Sequence, residues 1–216
     1  MVDLDGTLLD TLPDLAAAAN RMLAALDLPG RSPDEIRSYI GQGIAKLVER
    51  CLGADAMARQ AQALQLFEEY YFEESGRHAI VYPGVVEGLD RFAAMGLRLA
   101  CITNKSARFT LPLLGVKGLA PYFELVVSGD TLPSKKPDPM PLTYICSVFS
   151  LQPSQALLIG DSSNDTLAAR AAGCPVVCVP YGYNEGRDVH GLDCDAIVAS
   201  LAEAAQLIQT AGTELS

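Results

Sequence analysis

Apolar and polar positions follow two different patterns along the chain. Between residues 14 and 78, apolar side chains recur every three or four positions, as they do on the buried face of an amphipathic helix. The first such stretch covers residues 14–27, and its apolar positions are Leu15, Ala19, Met22, Leu23 and Leu26. The pattern predicts an all-helical block over residues 14–78.

Within this block, residues 32–35 are typical of a helix start. Ser32 can cap the helix, Pro33 suits the first helical position, and Glu35 completes a capping box. The spacing of apolar residues predicts two further helices, over residues 44–52 and 56–71.

From residue 79 onward, short apolar runs alternate with helical patterns. Strands that alternate with helices are typical of a parallel sheet covered on both faces. The predicted strands cover residues 2–4, 97–102, 125–127, 156–159, 176–179 and 196–198. The sequence therefore predicts an α/β fold, a doubly wound, Rossmann-like parallel sheet.

The first strand precedes the helical block, and the other strands follow it. We therefore expect an α/β core domain of residues 1–13 and 79–216 and an inserted helical cap domain of residues 14–78. Sheets of this kind bind ligands beyond the carboxyl ends of their strands.

Composition narrows the classes of partner. The chain has 216 residues and a net charge of -10, which argues against a nucleic-acid or membrane partner. The six cysteines have no Cys-x-x-Cys spacing, and no apolar run approaches the length of a membrane span. We expect a soluble cytoplasmic protein with reduced thiols, either a monomer or a small homo-oligomer.

Polar side chains follow the ends of four predicted strands. Each of these four short polar stretches is a common turn or helix cap on its own. Together, however, they lie at one edge of the predicted sheet. Two carboxylates as close as those of Asp3 and Asp5 repel each other unless a cation lies between them. The groups are Asp3, Asp5, Gly6 and Thr7, then Thr103, Asn104 and Lys105, then Lys135 and Lys136, then Asp161 and Asp165.

These motifs resemble those of the haloacid-dehalogenase superfamily of phosphatases, and the resemblance covers the whole chain. It implies a bound Mg2+ and a nucleophile, Asp3, that also ligates the metal. Asp5 would be the general acid and base, with its backbone carbonyl on the metal. Asp161 would ligate the metal, and Asp165 would support it or take that role instead.

The same resemblance assigns the phosphate contacts. Thr103 would hydrogen-bond the phosphoryl oxygens, and Lys136, directly before a proline, would hold the nucleophile and the phosphate. Lys105 and Lys135 are the alternatives for the catalytic lysine.

These roles agree with the chemistry of a phosphate ester. Its dianion repels an anionic attacker, so Asp3 can reach phosphorus only if Mg2+ and Lys136 offset the charge. The attack would give an aspartyl-phosphate. Asp5 would protonate the leaving alkoxide and then deprotonate the attacking water.

Several stretches are similar to bacterial phosphoglycolate phosphatases: residues 3–14, 37–43, 103–105, 135–139 and 181–184. The resemblance implies hydrolysis of 2-phosphoglycolate, with Asn104 also binding substrate. Gly41 and Gly43 would form a turn that brings backbone amides to the substrate, and Arg37 would pair with its carboxylate. The alternative for the two glycines is a helix C-cap followed by a linker.

Other functions stay open at this point. A related capped phosphatase or a mutase would act on a sugar phosphate or nucleoside monophosphate, because the four motifs handle only the phosphoryl group. A receiver-type signalling domain would lack the helical insertion, and a binding protein without activity would usually have lost a motif.

The start of the sequence departs from the family pattern. Members usually have several residues, including an aromatic, before the first aspartate, whereas only Met1 and Val2 precede Asp3 here. We expect so short a first strand to form few hydrogen bonds and to lower stability.

Overall fold

The computed structural model describes the backbone of residues 1–214 and the side chains of residues 1–54 and 56–210. The helices are α1 (Leu12–Ala25), α2 (Pro33–Tyr39), α3 (Ile44–Leu52), α4 (Gln60–Glu74), α5 (Val85–Ala94), α6 (Ala107–Val116), α7 (Met140–Phe149), α8 (Ser163–Ala172) and α9 (Leu201–Glu214). The strands are β1 (Leu9–Asp10), β2 (Ile80–Val81), β3 (Ala100–Ile102), β4 (Leu125–Val127), β5 (Leu158–Gly160), β6 (Val176–Cys178) and β7 (Ala196–Ile197).

Residues 1–3 lie in the middle of the main sheet. Val2 forms parallel bridges to Cys101 in β3 on one side and to Ile159 in β5 on the other. Beyond these neighbours, β4 pairs with β3, while β6 and β7 continue from β5, and every pair is parallel. The predicted parallel α/β sheet is confirmed.

The predicted strand over residues 2–4 is shorter in the structure, because the chain turns at Gly6, whose φ is +91°. It is nevertheless bonded on both sides. The Val2 amide donates to the Ala100 carbonyl and the Asp3 amide donates to the Ile159 carbonyl, each at 2.9 Å.

Helices cover both faces of the sheet. Side chains alternate across a strand, so Cys101 packs on one face while its neighbours Ala100 and Ile102 pack on the other. Helices α5, α6 and α9 cover the first face, and α7 and α8 cover the second. This is the doubly wound arrangement that the sequence predicts.

The inserted helices have a hydrophobic cluster of their own. Helices α1 to α4 supply most of it, and Met22, Phe67 and Tyr71 are fully buried there. Two core residues, Phe109 and Tyr183, complete this cluster. The exact division into domains at residues 13 and 78 stays a prediction.

The two crossings between the core and the helical block are tied together. The buried Asp14 carboxylate accepts hydrogen bonds from the amides of Gly76 at 2.8 Å, His78 at 2.7 Å and Ala79 at 3.2 Å. A short antiparallel ribbon, β1 with β2, runs beside it. The hydrophobic pattern of the sequence does not predict this ribbon.

Some element boundaries differ from the sequence prediction. The helix predicted over 56–71 begins as a 3-10 helix at Ala54–Arg59 and continues as α4. The capping box at Ser32 and Glu35 is present at the start of α2. All six cysteines carry free thiols, and no helix among the described residues is long and apolar enough to cross a membrane.

Candidate active site

The predicted nucleophile lies in a buried cluster of charged groups at the carboxyl edge of the sheet. Lys136 Nζ lies 2.8 Å from Asp3 Oδ1 and 2.6 Å from Asp165 Oδ1. It also donates to the carbonyl of Ile102 at 3.0 Å. The structure therefore brings together residues from four different strand ends.

Asp161 and Asp165, which follow the same strand, are held in different ways. Asp165 Oδ2 accepts from the amide and hydroxyl of Ser162, the N-cap of α8, at 3.1 and 2.8 Å. Asp161 accepts from the Thr7 hydroxyl at 3.1 Å and from the Tyr183 amide. Both oxygens of Asp165 are thus engaged by protein groups, one by Ser162 and one by Lys136.

Three buried carboxylates converge in a way that suits a metal ion. Asp3, Asp161 and Asp165 each offer one oxygen, and these oxygens lie within 4.8 Å of one another. Burial raises the pKa of Asp3 to about 7, Lys136 opposes this, and the charges of Asp165 and Asp5 add to it. Burial, followed by the charges of Asp3 and Asp165, raises the pKa of Asp161.

Only one lysine, Lys136, forms ion pairs with this trio among the described residues, so negative charge is in excess. Oxygen ligands alone, several of them anionic, are the set that Mg2+ prefers. The residues present therefore fit the predicted metal.

Asp5 lies beside the trio and has separate partners. Its carboxylate accepts from Lys105 Nζ at 2.8 and 3.1 Å and from the Thr11 hydroxyl at 2.6 Å. Burial is the largest single influence and lowers the pKa of Lys105, but Asp5 and Tyr71 together outweigh it, so the pKa of the lysine is raised. Lys105 Nζ also lies 4.9 Å from the ring centroid of Tyr71 in α4.

The three candidate lysines contact three different groups. Lys136 binds Asp3, Lys105 binds Asp5, and Lys135 Nζ donates to the carbonyl of Gln42 in the helical block at 2.8 Å. This placement supports Lys136 as the catalytic lysine, which stays a prediction.

Thr103 and Asn104 lie at the end of β3. Thr103 is buried, lines the cavity, and accepts from the Lys105 amide at 3.2 Å. Asn104 Nδ2 donates to the carbonyls of Gly41 at 2.9 Å and Lys136 at 2.8 Å, so it joins the helical block to the core. Asn104 Oδ1 is buried without a hydrogen-bond partner.

Gly41 and Gly43 line the cavity, and their predicted contact with the substrate stays a prediction. Gly41 has φ of +127°, and Gly43 has φ of +88° and is the N-cap of α3. A Cβ at Gly43 would lie 2.9 Å from Lys135 Nζ. Gly43 therefore begins a helix, unlike the linker glycine of the alternative interpretation.

Arg37 is placed apart from these groups. Its Nη1 donates to the carbonyl of Gly182 at 3.5 Å, and its guanidinium lies 5.2 Å from the ring centroid of Tyr183. It lines a neighbouring groove with Asp161 and Arg187 and is not part of the central cavity's lining. Its predicted pairing with a substrate carboxylate stays a prediction that this placement does not support.

The central cavity is small and has two unlike sides. It encloses about 40 Å3, which is room for a few water molecules by the same measure. The core supplies its charged groups, and the helical block supplies apolar side chains and glycine backbone. Its lining is Asp3, Asp5, Leu15, Ile40, Gly41, Gly43, Ile44, Leu47, Thr103, Asn104, Lys105, Lys136, Asp161, Ser162, Asn164 and Tyr183.

The turn at Gly6 offers a test of the metal site. A Cβ at Gly6 would overlap Asp161 Oδ2, so Gly6→Ala is expected to displace this carboxylate. We expect Mg2+ affinity, measured as the Mg2+ dependence of activity, to fall about tenfold or more, as when groups that orient metal ligands are altered.

Gly96→Ala is the matched control for this variant. Gly96 also has a positive φ, +72°, but its Cβ would meet nothing within 4 Å. Both variants should lose stability through backbone strain. Equal Mg2+ dependence in the two variants would contradict a metal-ligating Asp161.

Comparison with known proteins identifies the class. Residues 1–179 match the model of the haloacid dehalogenase-like hydrolase family. The chain therefore belongs to this family, and the resemblance carried by its motifs is confirmed.

Particular relatives are also similar over nearly their whole length. A phosphoglycolate phosphatase of Thiobacillus denitrificans is 55% identical over 216 residues, which covers 98% of this chain and 95% of the relative. One of Nitrosospira multiformis is 56% identical over 214 residues, covering 97% and 94%. A crystal structure described as a predicted phosphoglycolate phosphatase of Haemophilus somnus matches with a TM-score of 0.88 and 35% identity, covering 96% of each chain.

Proposed function

We propose that the protein is a Mg2+-dependent hydrolase of phosphoric monoesters and that its substrate is 2-phosphoglycolate. The observation that carries the chemistry is the buried group formed by Lys136, Asp3 and Asp165, with Asp5 two residues from the nucleophile. The substrate is supported by relatives of 55% and 56% identity that are named phosphoglycolate phosphatases.

Asp3 is the nucleophile in this proposal. Lys136 holds Asp3 Oδ1 at 2.8 Å, which fixes the direction of the attacking carboxylate and offsets its charge. A bond forms between Asp3 and phosphorus as the bond to the leaving oxygen breaks, giving an aspartyl-phosphate. Thr103, buried at the end of β3, hydrogen-bonds the phosphoryl oxygens.

Asp5 moves the protons. In the first step its carboxyl group protonates the leaving alkoxide, and in the second its carboxylate takes a proton from the water that releases phosphate. Thr11 and Lys105 orient the Asp5 carboxylate, at 2.6 and 2.8 Å.

Mg2+ would be held by Asp3, by Asp161 and by the backbone carbonyl of Asp5. Asp165 is assigned a supporting role, because its oxygens are engaged by Lys136 and Ser162. When bound, the metal supplies charge that offsets the repulsion between the carboxylate and the phosphoryl oxygens.

The cavity favours a small leaving group over a sugar or nucleoside. Leu15, Ile40, Ile44 and Leu47 line it from the helical block, and its volume is about 40 Å3. Closure of this kind excludes water and selects the leaving group. A capped phosphatase or mutase for a larger ester stays the alternative.

The proposed function is tested by release of inorganic phosphate from 2-phosphoglycolate, glucose phosphates and nucleoside monophosphates. We expect the highest kcat/KM for 2-phosphoglycolate and no release from any ester when a chelator is present. Mg2+ should also stabilise the protein against denaturant, by about 2.7 kcal/mol at a hundred times its Kd.

The outcomes separate the parts of the proposal. Metal-dependent activity that favours a larger ester would keep the chemistry and reject the substrate. Activity that survives the chelator would reject the metal, and no release of phosphate from a simple ester would favour a mutase or an inactive binding protein.

A further inference from the structure

Two buried lysines line the cavity, and they differ in their hydrogen-bond partners. Lys136 is engaged by Asp3, by Asp165 and by a backbone carbonyl, so all three hydrogens of its ammonium are used within the core. Lys105 is 5% exposed and contacts the two oxygens of Asp5. Of the cations that line the cavity in the described part of the chain, Lys105 alone does not contact the nucleophile.

The helical block brings apolar groups to the cavity. Arg37, the cation that the sequence predicts for this side, lies over the ring of Tyr183 and outside the lining. A negatively charged leaving group would therefore meet an uncharged surface on this side. The side chains and glycines that the block supplies are Leu15, Ile40, Gly41, Gly43, Ile44 and Leu47.

Lys105 lies close to the expected position of the substrate's carboxylate. Asp5 is assigned to the leaving oxygen, and Lys105 Nζ lies 2.8 and 3.1 Å from the two Asp5 oxygens. In 2-phosphoglycolate the carboxylate carbon is two bonds from the leaving oxygen. A group beside Asp5 is therefore beside the substrate carboxylate.

The position of Lys105 is fixed from two directions. Its amide donates to the Thr103 hydroxyl at 3.2 Å, which ties it to the end of β3. Its ammonium lies 4.9 Å from the ring centroid of Tyr71, which is fully buried in the helical block. A buried cation held in place before the ligand binds makes a strong charge-assisted hydrogen bond to a carboxylate.

We propose that Lys105 binds the carboxylate of the leaving group and thereby selects 2-phosphoglycolate over uncharged esters of the same size. This inference rests on the proposed function, because it names the residue that gives that function its specificity. It places the carboxylate site on the core at the end of β3, whereas the family resemblance of the sequence implies a site at Arg37 in the helical block.

The test compares two esters that differ in one group. In 2-hydroxyethyl phosphate a CH2OH group replaces the carboxylate of 2-phosphoglycolate, and the reacting phosphate is unchanged. We expect the wild type to prefer 2-phosphoglycolate in kcat/KM. In Lys105→Gln this preference should fall ~30-fold or more, the scale for truncating one member of a buried hydrogen-bonded charge pair, and most of the loss should be in KM.

The choice of variants separates recognition from effects on Asp5. Gln can still donate a hydrogen bond to Asp5, and Lys105→Arg keeps the charge, so Lys105→Arg should retain much of the preference. Should Lys105→Gln not fold, Lys105→Met carries the same test, because it also removes the charge, and an unchanged preference for 2-phosphoglycolate in that variant overturns the proposal. Arg37→Met and Lys135→Met should change kcat/KM for the two esters by the same factor.

Other results would overturn the inference. If Lys105→Gln slows both esters equally, the lysine acts through Asp5 alone. If Arg37→Met loses 2-phosphoglycolate selectively, the carboxylate site is at Arg37. If the wild type does not prefer 2-phosphoglycolate, the proposed function itself fails, and this outcome is distinct because it needs no variant.

Discussion

Asp3→Asn is expected to abolish phosphate release without destabilising the fold. An amide cannot form the bond to phosphorus, so we expect kcat to fall by on the order of 10^4 to 10^6, the range for loss of a catalytic residue that acts as part of a unit. The measurement is inorganic phosphate release from 2-phosphoglycolate with Mg2+ present.

Asp3→Asn is expected to be at least as stable as the wild type when no metal is bound. Burial, the first cause, raises the pKa of Asp3 from 3.8 to about 7. In the absence of metal, the wild type therefore loses stability as the pH rises from about 3.8 to about 7, and above that pH the cost of the ionised carboxylate is complete. The neutral amide removes this cost. At pH 8 with a chelator, the denaturation midpoint of Asp3→Asn should equal or exceed that of the wild type.

A nearby aspartate serves as the control for Asp3→Asn. Asp138 is exposed in the loop after Lys136, and its carboxylate accepts from the Met140 amide at 2.8 Å. Asp138→Asn should keep kcat near the wild-type value. Activity in Asp3→Asn above a few hundredths of the wild-type rate would contradict its role as nucleophile.

Lys136→Met is expected to lose both stability and activity. The variant leaves Asp3 and Asp165 buried without their shared cation, and removal of one partner from a buried ion pair typically costs 3 to 5 kcal/mol, so we expect a loss of about that size. Denaturant unfolding with a chelator present measures it. Added Mg2+ should recover more stability in this variant than in the wild type, because the cation compensates the same carboxylates.

Lys135→Met is the control for Lys136→Met. It tests whether the expected loss of stability and activity is specific to position 136 or follows from replacing any lysine in this loop. Lys135 is the preceding residue, exposed, and bonded to the Gln42 carbonyl. Its replacement should change stability by about 0.5 kcal/mol or less, as for most surface substitutions. A large loss in Lys135→Met, or a stable and active Lys136→Met, would reverse the assignment of the two lysines.

The fold could be predicted from the sequence because its local signals agree with one another. Apolar periodicity located the helices, the capping box at Ser32 marked the start of α2, and alternating strands and helices indicated a doubly wound sheet. The ribbon of β1 and β2 has only two residues in each strand, and pairing of that length leaves no periodic signal in a sequence.

The site was predictable in its residue types but only partly in its contacts. Strand ends indicated that Asp3, Lys136 and Asp165 would meet, since parallel strands share a carboxyl edge. Nothing in the spacing could show that Lys105 pairs with Asp5, because a lysine in such a loop can point to solvent or to the cavity. In the structure Lys105 points to the cavity, where its ammonium contacts Asp5 and lies over the ring of Tyr71 in the inserted block.

The central place of residues 1–3 in the sheet has a consequence for folding during synthesis. Met1 donates to the carbonyl of Leu157, 156 residues later in the chain. At about 5 to 20 residues per second, a ribosome needs roughly 8 to 30 s to make that stretch. The segment that carries the proposed nucleophile therefore waits for sheet partners that are made later, and such non-local pairing slows folding.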